Sequence, residues 1–205
     1  MRRPARLAAL ILAALVLCGC GSSTTALDAP VRVSGPPTTA ATIRGGMLVV
    51  PYTSPPTFTG QHGRPGSCHA RGQLPDPICT PGSVGSTDQA EVCAPEFSDR
   101  HRPKPGYAAT KFKRAAMAAY GIPDTEAGTT EADHLIPEWA GGSNDVSNVW
   151  AQRSDIPDAG WRNSKDSVET RVWNAVCKRG TATLADAQAA FAADWTTAAA
   201  IPGVG

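Results

Sequence analysis

Glu131-Ala132-Asp133-His134-Leu135-Ile136-Pro137, Gly141-Gly142-Ser143-Asn144-Asp145, Ser147-Asn148-Val149-Trp150-Ala151-Gln152 and Asn163-Ser164-Lys165-Asp166 follow one another in the second half of the chain. Residues 131–136 and 147–152 read as short strands, and the Gly-Gly-Ser-Asn-Asp run between them reads as a turn. Lys165 to Lys178 reads as a helix, with Val168, Val172 and Val176 at i, i+4 and i+8 and Lys178-Arg179-Gly180 closing it. The order is strand, turn, strand, helix. It sets a carboxylate and an imidazole side by side and an amide just ahead of the helix. A neutral histidine takes a proton from water near pH 7. Carboxylate and amide oxygens suit a hard cation such as Mg²⁺ or Mn²⁺.

Working outward, Ala108 to Tyr120 lacks Gly and Pro, and Gly121 follows as a stop, so it reads as a helix. Thr183-Leu184-Ala185-Asp186 resembles a capping box, and Leu184, Ala187, Phe191 and Trp195 then share one face of a last helix. All five Trp lie between Trp139 and Trp195, whereas 13 of the 18 Pro lie between Pro30 and Pro105. Large aromatics dominate core burial, so the packed domain is expected at 107–201. Residues 67–106 read as a loop-rich lead-in. Residues 20–66 read as a Pro-, Gly- and Thr-rich tether, too poor in apolar surface to offset its ordering entropy. Within it, Met47-Leu48-Val49-Val50-Pro51-Tyr52 is either a short strand or an isolated apolar patch.

The first six residues carry Arg2, Arg3 and Arg6, and Leu7 to Leu17 is apolar. That run is too short for a bilayer, which needs about 20 residues, and it suits a signal peptide. Leu17-Cys18-Gly19-Cys20 resembles a bacterial lipoprotein box. The resemblance implies removal of residues 1–19, lipidation of Cys20, and an exported chain anchored to the cell envelope by lipid alone. An ordinary secretory signal cleaved nearby is the other reading. Cys68, Cys79, Cys93 and Cys177 remain, and an even count in an oxidising compartment reads as two disulfides. Three pairings are open; a Cys93–Cys177 bridge would tie the front of the domain to its C-terminal helices.

The 205 residues carry a formal charge of +1 and 41% hydrophobic residues, with no long apolar run or fixed period. A multi-pass membrane protein, a coiled coil and a repeat array are excluded. Loss of the leader leaves 16 basic against 18 acidic side chains. Global charge therefore does not favour nucleic acid. Locally, Arg100, Arg102, Lys104, Lys111, Lys113 and Arg114 occur with no acid among them, which reads as a phosphate track or as a solvated face.

The D-H-x-x-P run, the Gly-Gly turn, Asn148 and the Asn-x-Lys-Asp at the helix start resemble the HNH nuclease motif. The wider stretch, about residues 75–197, is similar to a group of secreted bacterial proteins with an HNH-like core. There the matching pieces are Asp76-Pro77-Ile78-Cys79-Thr80-Pro81-Gly82, Asp133 to Pro137, Lys165-Asp166-Ser167-Val168-Glu169, Val176-Cys177, Ala187-Gln188 and Asp194-Trp195. The resemblance implies an α+β fold with a ββα-metal core and additional helices. It implies Asp133 and Asn163 as ligands of one Mg²⁺ or Mn²⁺, His134 as general base, and Asn148 as a catalytic-site brace. Lys111, Lys113, Arg114 and Lys165 are candidate phosphate contacts. Many members carry His where Asn163 stands. A shifted alignment would make Asp166 or Asp158 the ligand.

The expected activity is low-specificity, metal-dependent hydrolysis of phosphodiester bonds, with nucleic acid, DNA first, as substrate. The alternatives are a non-catalytic envelope lipoprotein that uses the HNH-like scaffold as a binding module, and a purely structural lipoprotein.

Overall fold

The computed structural model describes residues 42–44, 46–50, 52, 65–102 and 107–205. The leader, Cys20 and most of the tether lie outside the described residues. The fold is α+β. Two small antiparallel sheets are β1 (Thr42–Arg44) with β2 (Met47–Val49), and β3 (Thr130–His134) with β4 (Val149–Arg153). The helices are α1 (Gln89–Val92), α2 (Phe97–His101), α3 (Tyr107–Ala119), α4 (Lys165–Trp173) and α5 (Leu184–Asp194).

The β3–β4 register pairs Thr130 with Arg153, Asp133 with Trp150 and His134 with Val149. Helix α3 lies against both strands and seals Met117, Tyr120 and Ile122 over Trp150. The larger core joins Leu135 and Ile136, just beyond β3, to Val168, Val172 and Val176 of the α4 segment and to Leu184, Phe191 and Trp195. These are the faces that the helical spacing predicts. Each such side chain is worth roughly 1.5–3 kcal/mol when fully buried.

Local signals place the helix ends. Thr183 Oγ1 accepts from Asp186 N at 3.1 Å and donates to Asp186 Oδ2 at 2.7 Å, so Thr183 caps α5, while the Asp186 carboxylate bonds the hydroxyl rather than the backbone N–H that a capping box uses. The stretch 165–178 is not one uniform α-helix. Beyond Trp173 it widens into a π-helical turn, Asn174–Arg179, that ends at Gly180 in the left-handed region with φ 63°. Cys177 lies in that turn and is bonded to Cys93; Cys68 is bonded to Cys79.

The core reaches further N-terminal than the aromatic distribution suggests. Val84, Val92 and Phe97 belong to the same cluster as Phe191. Val84 pairs with Val49 on one side and Gly142 on the other, and Val50 N donates to Val84 O at 2.7 Å. Of the two readings of this segment, the strand is the one found, over Met47–Val49. Tyr52 then stacks on His101, with centroids 3.9 Å apart. A few aliphatic residues among many prolines suffice to fix this lead-in, and counting Trp does not find them.

Asp76 knots the lead-in. Its carboxylate accepts from His69 N at 2.8 Å, Ile78 N at 2.8 Å and Cys79 N at 3.3 Å. Burial alone would raise its pKa, but the three backbone donors together hold it below the ordinary carboxylate value. A depressed folded pKa contributes stability that is present above the unfolded value, about 4, and is lost as pH falls through the folded value. Melting curves from pH 6 to pH 2 are expected to show a smaller acid loss for Asp76→Asn than for the wild type. Equal losses would contradict this assignment.

Candidate functional site

Side chains alternate along a strand, so Asp133 and His134, adjacent at the end of β3, serve different neighbours. Asp133 turns to α4, where its Oδ2 lies 2.9 Å from Lys165 Nζ. His134 turns to the loop before β4, where its Nε2 lies 2.8 Å from Asn144 Oδ1.

That loop is held from within by Asn148, whose side chain is fully buried. Asn148 Oδ1 accepts from Ile136 N at 2.9 Å, and its Nδ2 donates to Ile136 O and Ser143 O, both at 3.0 Å. Gly142 is needed because a Cβ there would collide with Ile136 O. Gln188 of α5 clamps the same turn, donating to Ser86 O at 2.9 Å and Ala140 O at 2.7 Å. Asn148→Ala leaves three buried backbone groups without these bonds, and the expected loss is about 3 kcal/mol in urea unfolding. A loss below about 1 kcal/mol, the net worth of a single ordinary hydrogen bond, would contradict the bracing role.

Lys165 is the hub of the other side. It is only 1% exposed, and its Nζ meets Asp133 Oδ2, donates to His134 O at 2.7 Å and to Glu169 Oε1 at 2.5 Å. The Asp133 contact is close but poorly aligned for a hydrogen bond, since Oδ2 is otherwise a buried acceptor without a partner. The geometry is that of an ion pair. Burial alone would lower the Lys165 pKa; Asp133 and Glu169 hold it above the ordinary value. Lys165 is therefore not a surface phosphate contact. A lysine at a helix start reads as solvated until strand and helix bring two carboxylates to it.

Asn163, 2% exposed, sits just ahead of α4. Its Oδ1 accepts from Lys165 N at 3.0 Å, and its Nδ2 faces Glu131 Oε2 at 3.3 Å. Burial pushes Glu131 up to about 8, and the Asp133 and Asp166 charges push the same way. Asp166 is likewise raised, by burial and then by Asp133. Glu169 is raised by burial against the pull of Lys165. Two carboxylates, Asp133 and Glu169, thus meet one buried ammonium, and the charges of Asp133 and Asp166 also reach Glu131. His134 is pushed below the ordinary imidazole value by burial, against the pull of its Asn144 bond and of Asp133. Its ring is therefore neutral near pH 7.

The other expected residues lie apart from this cluster. Lys113 donates to Ala127 O at 2.6 Å, and Arg114 lies 4.0 Å from Asp124 on the exposed side of α3 with Lys111. Arg102 lies 3.7 Å from Glu138, which burial pushes up to about 7. Lys104 lies outside the described residues. Asp158 occupies an exposed loop at φ 58°, and it is Asp155 that bonds Ser164 N, at 2.7 Å.

Among the described residues, no group of three or more His, Cys, Asp or Glu side chains is arranged to hold a metal ion. The expected pair, one carboxylate and one amide, is a smaller set. It fits in kind a hard cation that takes one or two protein oxygens and completes its shell with water and phosphate. Glu131, pushed up to about 8, carries little charge near pH 7, so Asp133, already paired with Lys165, is the carboxylate that the expected pair offers to a cation. Glu131, Glu169, Asn144 and Gln188 were not singled out by role in the sequence. Two had a periodic signal: Glu131 stands two before Asp133 on one strand face, and Glu169 four after Lys165 on one helix face. Asn144 and Gln188 reach partners distant in sequence and had none.

No helix among the described residues is long and apolar enough to cross a membrane. Compared with protein families, curated proteins and solved structures, the chain matches none of them.

Proposed function

We propose that β3, β4 and α4 form an HNH-like ββα-metal core and that the exported, lipid-anchored chain hydrolyses phosphodiester bonds in DNA with little sequence preference. The observation that carries this reading is the pairing of a neutral, hydrogen-bonded His134 with an acidic cluster built around Asp133 at the end of the same strand. In it, His134 takes the proton from the attacking water. Asp133 and Asn163 would hold one Mg²⁺ or Mn²⁺, which would supply positive charge to the phosphate group. Lys165 holds Asp133 in place from behind, and Asn148 holds the loop that faces His134. Lys111 and Arg114, exposed on α3, supply weak phosphate contacts without base readout. Export and anchoring rest on the leader and on Cys20, and Cys20→Ala is expected to release the chain from membranes.

The test of the site is Mn²⁺ titration calorimetry on the wild type and on Asp133→Asn, which keeps the size of the side chain and removes its charge. One site in the wild type and none in the variant are expected. Equal binding by both would overturn the ligand assignment. The second reading, a non-catalytic binding module on the same scaffold, is favoured by the ammonium that already sits on Asp133, and it expects no cation uptake.

A further inference from the structure

We infer that Asn144 is a positioning residue that fixes which nitrogen of His134 acts as the base. The inference rests on the nuclease reading above and deepens it.

The amide of Asn144 lies between two partners. One of its atoms is 2.7 Å from His101 O and the other is 2.8 Å from His134 Nε2. A backbone carbonyl only accepts, so the atom beside it is Nδ2, and Oδ1 faces the imidazole. The reverse orientation would set two acceptors against each other. Oδ1 in turn only accepts, so Nε2 carries the proton. A neutral ring protonated at Nε2 keeps its lone pair on Nδ1, and Nδ1 is the atom left to take a proton from water.

The anchor is itself well held. His101 is the last residue of α2, and its ring stacks on Tyr52 and tilts against the buried ring of Phe97, with centroids 4.6 Å apart. Residues far upstream of the β3–β4 hairpin therefore orient the base within it. Asn144 acts only through His134, and on the geometry its loss misplaces the ring without removing any ligand or phosphate contact.

The test uses the intact mature protein, labelled with ¹⁵N, at a pH where the imidazole is neutral. The wild type is expected to show a His134 Nε2–H proton that is protected from exchange, and Asn144→Ala is expected to lose that protection. On plasmid DNA, Asn144→Ala is expected to lower kcat roughly ten- to a hundredfold through misplacement of the base, with KM unchanged. Asn144→Asp keeps an acceptor for Nε2–H but sets its second oxygen against His101 O, so it is expected to protect the proton less than the wild type and to turn over between the wild type and the alanine variant. A wild-type ring protonated at Nδ1 would overturn the inference. So would a folded Asn144→Ala with unchanged kcat, because a merely structural role moves the melting temperature and not the turnover. A wild type that cuts nothing overturns the nuclease reading and with it the role of Nδ1 as base, whereas the tautomer that Asn144 sets is read from the imidazole proton without turnover.

Discussion

His134→Ala is expected to lower the rate of plasmid nicking by about 10²- to 10⁴-fold, the range for a lost general base. The variant keeps Asp133, Asn163 and the Lys165 hub, so the proposed cation binding is expected to persist. Its stability should fall by only about 1 kcal/mol, because the side chain makes one hydrogen bond, to Asn144. Nicking and thermal melting on the same two preparations separate the cases. Equal nicking by both proteins would assign the cleavage to another site. A large drop in melting temperature would make His134 a structural group.

Lys165→Met should be the most destabilising change at the site, by about 3–5 kcal/mol, the range for breaking a buried pair by removal of one partner. Its ammonium is the one charge that Asp133, Glu169 and the His134 carbonyl share. Without it, burial and mutual repulsion fall unopposed on carboxylates whose values, at Glu131 and Glu169, are raised already. The sign of the pH dependence follows. A group with a raised folded pKa stabilises the fold while it is protonated, below its unfolded value, and that contribution is lost as pH rises through the folded value. The deficit of Lys165→Met against wild type should therefore be largest near pH 8 and shrink toward pH 4, in urea unfolding. Adding Glu169→Gln to the variant should recover part of the loss. A deficit below about 1 kcal/mol at all pH values, the size of a surface ion pair, would contradict the hub.

The helix starts and stops were legible in the sequence because local chemistry sets them. Gly121, Gly180 and the Thr183–Asp186 cap act over one turn. So was the hairpin around the Gly-Gly turn, though its strands, expected at 131–136 and 147–152, are Thr130–His134 and Val149–Arg153. The placement of Lys165 was not legible. Its burial depends on Asp133 and Glu169 arriving from a strand and a helix at one point, and nothing within four residues of it announces the strand partner. The reach of the core into residues 47–101 was hidden for a similar reason. Val84 and Phe97 each stand alone among polar, Gly and Pro residues, and the short apolar run around Val49 becomes core only through pairing with Val84 across the chain. Asn144 looked like an ordinary turn residue because its role is set by a carbonyl 43 positions upstream.

Relaxation of supercoiled plasmid by the intact mature protein, with Mn²⁺ and after addition of a chelator, tests the central claim most directly. The account predicts nicked circles that accumulate with Mn²⁺, stop forming with the chelator, and resume when Mn²⁺ is restored. Plasmid that stays supercoiled with Mn²⁺ in excess, while the protein melts as a folded unit, would contradict it.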